Sequence, residues 1–574
     1  MCIRKKLFLL SLIFCFLAAE ISVQAQNKKD FRAINTPLRD WWNVLYYDLT
    51  IEPDFNTQSI KGVNVITYER VKDKQFIMQI DLQQPMRIDS VIASGVSVTF
   101  SRMGNIYKID LFDAFLYNKN QKGAVFIYFS GKPKIAQKAP WDGGWIFSRD
   151  NNKNPWMTVA CEELGASSWF PCKDFLDDEP EQGMKMTIIT TKDLVGVGNG
   201  KLLSKKKYEI SEDQIVKTTV KEKNGKTITK NKVITQKFDT GKTAYIWQIT
   251  QPINAYNIVP YIGDYKEFTD SYRGEKGILP LDYWVLSYNV DKAKKQFEQV
   301  KPMLKALEYW FGAYPFYEDS YKLVESSHLG MEHQSNIAYG NKYQNGYLGT
   351  DRSETGEGLK WDFIIVHESA HEWFGNSITC NNMADMWIHE AFATYAETLF
   401  MESTFKKENA EKYIIGQRKN IKNDVSIANG SGDMYDKGAN MLHTLRQWID
   451  NDNKFRQMLR DMNKNFYHKT VSEKEIEDFM ASASGLNLTK FFDQYLRQTK
   501  VPTFEYFIVD KETIRYRWKN TIPGFDMPIK TSLGKLVPTN KPQKITAKKK
   551  IIAAFSVNPN YYIEVKKVKK MSSR

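Results

Sequence analysis

Cysteine is nearly absent from this chain. Five occur in 574 residues, and two of them, Cys2 and Cys15, fall within the first 25. The remaining Cys161, Cys172 and Cys380 are too few for a disulfide framework, and their spacings match no zinc knuckle. They read as buried thiols, although spacing alone leaves a Cys161–Cys172 bridge open. Long apolar runs are missing too. The longest, from Leu7 to Ala19, is about 13 residues, where a spanning helix needs about 20. It follows Arg4, Lys5 and Lys6 and precedes Val23-Gln24-Ala25, a small-residue pattern that signal peptidase accepts. Residues 1–25 therefore read as a secretory signal peptide, and the chain is expected to be exported, periplasmic or extracellular, without a transmembrane anchor. Phe14 before Cys15 is too bulky for a lipoprotein cleavage site, so no lipid anchor is expected. No internal repeat or low-complexity tract is visible.

Acidic residues are in deficit. There are 67 against 81 Lys and Arg, a formal charge of +14. Such a balance can serve nucleic acid or anionic surfaces. Here the lysines are dispersed, with local excesses only at 201–245 and 541–570, which read as solvated loops and edges. No nucleic-acid partner is expected. A hydrophobic content of 42% excludes disorder, and the length exceeds one core.

Three regions follow from periodicity. Residues 26–265 are strand-like: NVLYYDLTIEP, FIMQIDL, AVFIYFSG, KMTIITT and TAYIWQITQP alternate apolar with polar. They predict an antiparallel β domain. Within it, the charged stretch around Asn224-Gly225 reads as a long exposed hairpin. Residues 266–500 read as the next domain, with the period turning helical near Asn289, as in DKAKKQFEQVKPMLKALEYWFG and YDKGANMLHTLRQWID. Residues 501–574 return to alternation and predict a small C-terminal β module.

Histidine is the other scarce residue, and its placement is uneven. Of seven, five lie between His328 and His389. His367 and His371 are four apart, on one face of a helix. They aim two imidazoles at one point. Glu390, nineteen residues past His371 on the next helical pattern, can supply a third ligand. Zinc suits such a nitrogen and oxygen set and keeps a fourth position for water at catalytic sites. Glu368 falls beside the metal and not on it, where a general base for that water is needed. A bare HExxH also occurs in ordinary helices; the added glutamate is what makes this one specific. His389 points elsewhere on its helix, toward a supporting or surface role.

The segment His367-Glu368-xx-His371-x-Trp373-Phe374-Gly375-Asn376, with Glu390, resembles the gluzincin aminopeptidases, the family of aminopeptidase N and the leukotriene epoxide hydrolase. Leu329-Gly330-Met331-Glu332-His333 resembles the family's Gly-x-Met-Glu-Asn motif. Met434-Tyr435-Asp436-Lys437-Gly438-Ala439 resembles its tyrosine motif. Cys161-Glu162, before Pro171-Cys172-Lys173-Asp174, resembles a β-domain segment that reaches the active site. The likeness covers most of residues 40–500. It implies an α+β multidomain fold: an N-terminal antiparallel β-saddle, a thermolysin-like, mostly helical catalytic domain and a short β module. It implies one zinc per chain, held by His367, His371 and Glu390, and peptide substrates with a free N-terminus. Glu332, aided by Glu162, would hold the substrate ammonium by charge-assisted hydrogen bonds, with Gly330 and Met331 on the substrate-binding edge. Glu368 would act as base and then acid, and Tyr435 would stabilise the oxyanion. Trp373 and Phe374 read as packing residues.

The chain departs from the pattern at Leu329, His333 and His389-Glu390-Ala391, and residues 501–574 are expected to be β where many relatives carry a helical C-terminal cap. Two other readings stay open at this point: a different hydrolase on the same site (an endopeptidase-like zincin or an epoxide hydrolase), and a catalytically silent secreted binding protein.

Overall fold

The computed structural model describes residues 31–571, apart from 73–74, 118–120 and 222–226. The expected signal peptide and the Asn224-Gly225 turn lie outside the described residues. The alternating segments of the N-terminal region form an eight-stranded sheet. Its centre pairs Trp42–Asp54 with Ser59–Arg70, and Ser59–Arg70 with Lys122–Gly131, both antiparallel. One pairing corrects the antiparallel expectation: Trp42–Asp54 runs parallel to Met184–Thr191, with Tyr47 opposite Met184. Alternation reports which face of a strand is buried and says nothing about the direction of its neighbour. The long hairpin is present as Lys201–Lys221 against Thr227–Ile249.

Smaller sheets close the β domain over its core and bring residues 161–174 against the catalytic domain. Buried charges fix that segment. Arg39 and Asp81 form an ion pair at 2.7 Å, each 1% exposed. Asp81 also accepts the backbone N–H of Asp174, and Asp174 accepts that of Ser167. Arg32 donates to the backbone carbonyls of Glu162 and Glu163. Removing one partner of a buried pair strands the other, at a cost of about 3–5 kcal/mol. Arg39→Met is expected to destabilise the β domain by about that amount, read as an earlier thermal or urea transition. An unchanged transition would refute this account of the pair.

A five-stranded sheet opens the catalytic domain: Tyr265–Gly274, Gly277–Leu286, Tyr321–Glu325, Ile337–Tyr339 and, at the edge, Gly330-Met331. The helix Val300–Phe311 lies between its strands, and Phe363–Ala370, Trp387–Thr404 and Asp436–Ile449 are among the helices that follow. At the C-terminus, Gln543–Thr546, Thr513–Lys519, Thr503–Asp510 and Glu564–Lys567 form a four-stranded sheet. It packs against the helical core: Phe504, Trp518 and Tyr562 belong to the same buried cluster as Trp361 and Leu399. Tyr495 Oη donates to the Tyr562 carbonyl at 2.8 Å.

The three described cysteines are buried and free, as their scarcity suggested. Among the described residues no helix is long and apolar enough to cross a membrane.

Candidate active site

Asp362 starts the helix that carries the histidines. Its carboxylate accepts the backbone N–H groups of Ile364 and Ile365 as an N-cap. It is itself fixed by Tyr339, Asn341 and Gln296. The helix ends at His371, and the chain turns through Gly375 at φ +130°. A Cβ there would lie 3.2 Å from His371 Nδ1.

His367 Nε2, His371 Nε2 and Glu390 Oε2 form a nearly equilateral triangle. The histidine nitrogens are 3.4 Å apart, and Glu390 Oε2 lies 3.4 and 3.5 Å from them. A tetrahedral ion with bonds of about 2.0–2.1 Å spaces its ligand atoms by about 3.4 Å. The other ring nitrogens are fixed as ligation requires. His371 Nδ1 donates to the Phe374 carbonyl, and His367 Nδ1 meets Glu397 Oε1, both at 2.9 Å. Glu390 Oε2 is buried without a hydrogen-bond partner. Burial would raise the Glu390 carboxyl, but His371 and His367 outweigh it and hold it well below the usual range. These residues fit a zinc ion. Among the described residues they are also the single cluster of three or more such side chains arranged to hold one.

Around this triangle lies a cavity of about 420 Å³ lined by Glu162, Glu332, Glu368 and Tyr435, among others. Glu368 is not part of the triangle. Burial pushes its carboxyl up to about 7, against the pull of His367 and His371. Its Oε1 sits so close to the edge strand that a Cβ on Gly330 would approach it to 2.5 Å. A side chain there would have to displace that carboxylate, and Gly330 and Met331 line the cavity wall. Tyr435 donates to Glu390 Oε1 at 3.0 Å and stacks on His367. Glu332 is fixed by Tyr256, whose phenol donates to Oε1 at 2.9 Å, and by Asn376, which donates to its backbone carbonyl at 2.7 Å. Glu162 has a buried Oε1 with no partner. Burial, then the Glu332 and Glu390 carboxylates, push its pKa well up. The two acids line one cavity, close enough that the charge of Glu332 opposes ionisation of Glu162.

Every residue singled out in the sequence for the site meets in this cavity. His389 does not: its Nε2 accepts the backbone N–H of Cys380 at 2.8 Å, away from the metal ligands. His333, in place of asparagine, pairs with Tyr261. Ala391, in place of glycine, packs against Gly438, where a Cβ would clash at 2.5 Å. No role is assigned from the sequence to Tyr256, Asn376 or Glu397. Glu397 had a signal, lying seven residues after Glu390 and so on the same helix face. Tyr256 comes from the β domain and had none.

Residues 291–495 match the family model described as the peptidase family M1 domain. The matched stretch takes in His367, His371, Glu390 and Tyr435. Curated relatives include a probable aminopeptidase 1 of Sulfurisphaera tokodaii, 21% identical over 80% of this chain and 53% of its own length. Another is aminopeptidase N of Lactococcus lactis, 25% identical over 35% of this chain and 27% of its own. The chain thus spans about half or less of the length of these relatives. Among solved structures, a mutant M1 zinc metallopeptidase of Deinococcus radiodurans superposes with a TM-score of 0.63 at 17% identity, over 81% of this chain and 96% of that one. The two chains share the fold of the M1 domain and its β partner. An M1 domain implies one zinc, and the triangle is where this chain would hold it.

Proposed function

We propose that this chain is a zinc-dependent aminopeptidase, removing N-terminal residues from peptides. The observation that carries this reading is the acidic pair Glu162 and Glu332 in the same cavity as the His–His–Glu triangle. When bound, zinc supplies a Lewis acid and a more acidic water. Glu332 and Glu162 hold the substrate ammonium and set the cut after the first residue. Glu368 accepts the proton of the attacking water and returns one to the leaving amine. The Tyr435 phenol, released from Glu390, donates to the scissile carbonyl oxygen as charge develops there.

A charge-assisted hydrogen bond contributes about 1.5–3 kcal/mol, equivalent to roughly 10- to 150-fold. N-acetylation of a good substrate is therefore expected to lower kcat/KM by about 100-fold. Glu332→Gln should narrow that gap, chiefly by raising KM for the free amine. Equal turnover of acetylated and free peptides would instead indicate an endopeptidase-like zincin or another hydrolase.

We also propose export to the periplasm or beyond, on the basic, apolar and small-residue pattern of residues 1–25. A mature chain beginning at Gln26 in the exported fraction is the expected mark, and an intact Met1 there would overturn it. The dispersed basic charge is assigned to solvated surface, with no nucleic-acid partner.

A further inference from the structure

One cation faces a cavity otherwise rich in carboxylates. Glu162, Glu163, Glu332, Glu368 and Glu390 line it, and Arg352 is the single Lys or Arg among its lining residues. The guanidinium is positioned but not fully engaged. Nη2 donates to Asp436 Oδ2 at 3.0 Å. Its plane lies over the rings of Phe363 and Tyr347, at 5.3 and 5.7 Å. The side chain stays 28% exposed. A guanidinium carries several donors in one planar fork that matches a carboxylate. One ion pair and two stacked rings hold that fork without using it up.

The helix bearing the histidines gives the cavity a direction. Phe363, beneath Arg352, lies one turn before His367. Glu332 lies past the other end, where its carbonyl accepts from Asn376, five residues after His371. The metal triangle sits between the two. From Phe363 to His371 the helix rises about 12 Å. A peptide anchored by its ammonium at Glu332 and Glu162, with its first carbonyl at the metal, runs its leaving-group side toward Arg352. An extended chain advances about 3.3–3.6 Å per residue, so a carboxylate that reaches Arg352 belongs one or two residues past the cut.

We propose that Arg352 binds a substrate carboxylate on the leaving-group side, which favours di- and tripeptides with a free C-terminus. The inference rests on the aminopeptidase reading. An Asp side chain at the second or third substrate position offers the same chemistry, and the test separates the two sources. Steady-state kinetics would compare Leu-Ala and Leu-Ala-Ala, their C-terminal amides, and amides with Asp in the second or third position. Each would be measured with the wild type, Arg352→Met and Arg352→Lys.

In the wild type, carboxylate-bearing peptides should exceed plain amides at least about tenfold in kcat/KM, mostly through KM. The ratio should collapse toward one in R352M and survive in part in R352K. A gain for the free acids assigns the C-terminal carboxylate. A gain confined to the Asp amides assigns the side chain and still supports Arg352 as the receptor. If R352M does not fold, the wild-type ratio and R352K decide. Equal rates for all peptides in the wild type would overturn the inference while aminopeptidase activity stands. No hydrolysis of any of them would overturn both.

Discussion

Glu368→Gln is expected to lower kcat by about 100- to 10,000-fold while one zinc per chain stays bound. The substitution keeps size and shape and removes the proton acceptor. Glu368 stands outside the ligand triangle, so metal content should not follow activity. Its carboxylate lines the cavity beside the edge strand and the two histidines of the triangle, where the proposed mechanism needs a proton acceptor. Turnover on an aminoacyl reporter, alongside metal analysis of the same preparation, checks both halves. Activity within tenfold of the wild type would remove Glu368 from its assigned role. Joint loss of metal and activity would recast it as a structural support.

Removing the metal should have a comparable effect. Chelation is expected to abolish turnover, and added zinc to restore it. His371→Ala should leave the purified protein without stoichiometric zinc. The reason is geometric: without His371 the metal keeps one nitrogen from this helix and one oxygen from the next, and the two-nitrogen grip of the helix face is lost. Glu397→Gln tests the next layer. Glu397 takes His367 Nδ1 on one oxygen and the Tyr413 and Gln417 donors on the other. Losing its charge should weaken zinc binding about 10- to 100-fold. Full activity after exhaustive chelation, with the loss of metal verified, would refute a zinc-dependent mechanism.

The site was legible in the sequence wherever its logic is local. A four-residue spacing places His367 and His371 together because a helix has 3.6 residues per turn, and no tertiary information is needed. Glu390 was legible because its own helix follows closely. Partners drawn from elsewhere were not. Tyr256 reaches Glu332 across the domain boundary, and nothing in its neighbourhood marks it. The strands of the β domain were visible as alternation, but the parallel pairing of Tyr47 with Met184 joins segments far apart in sequence, which periodicity cannot match. The tail was read as a module because its period changes at about residue 501. Its buried aromatics pack on one another, as Phe504 does on Trp518, and also join the buried cluster of the helices.

That tail has a consequence for anyone who trims the chain. A cut at residue 500 would lay bare an aromatic wall beneath Tyr495 and Leu496, and would deprive the buried His443 of its Asn560 partner. His443 sits on the helix that begins just after Tyr435. The loop before the last strand is therefore tied to the helix that follows Tyr435, and a shortened version would be a poor surrogate for the whole.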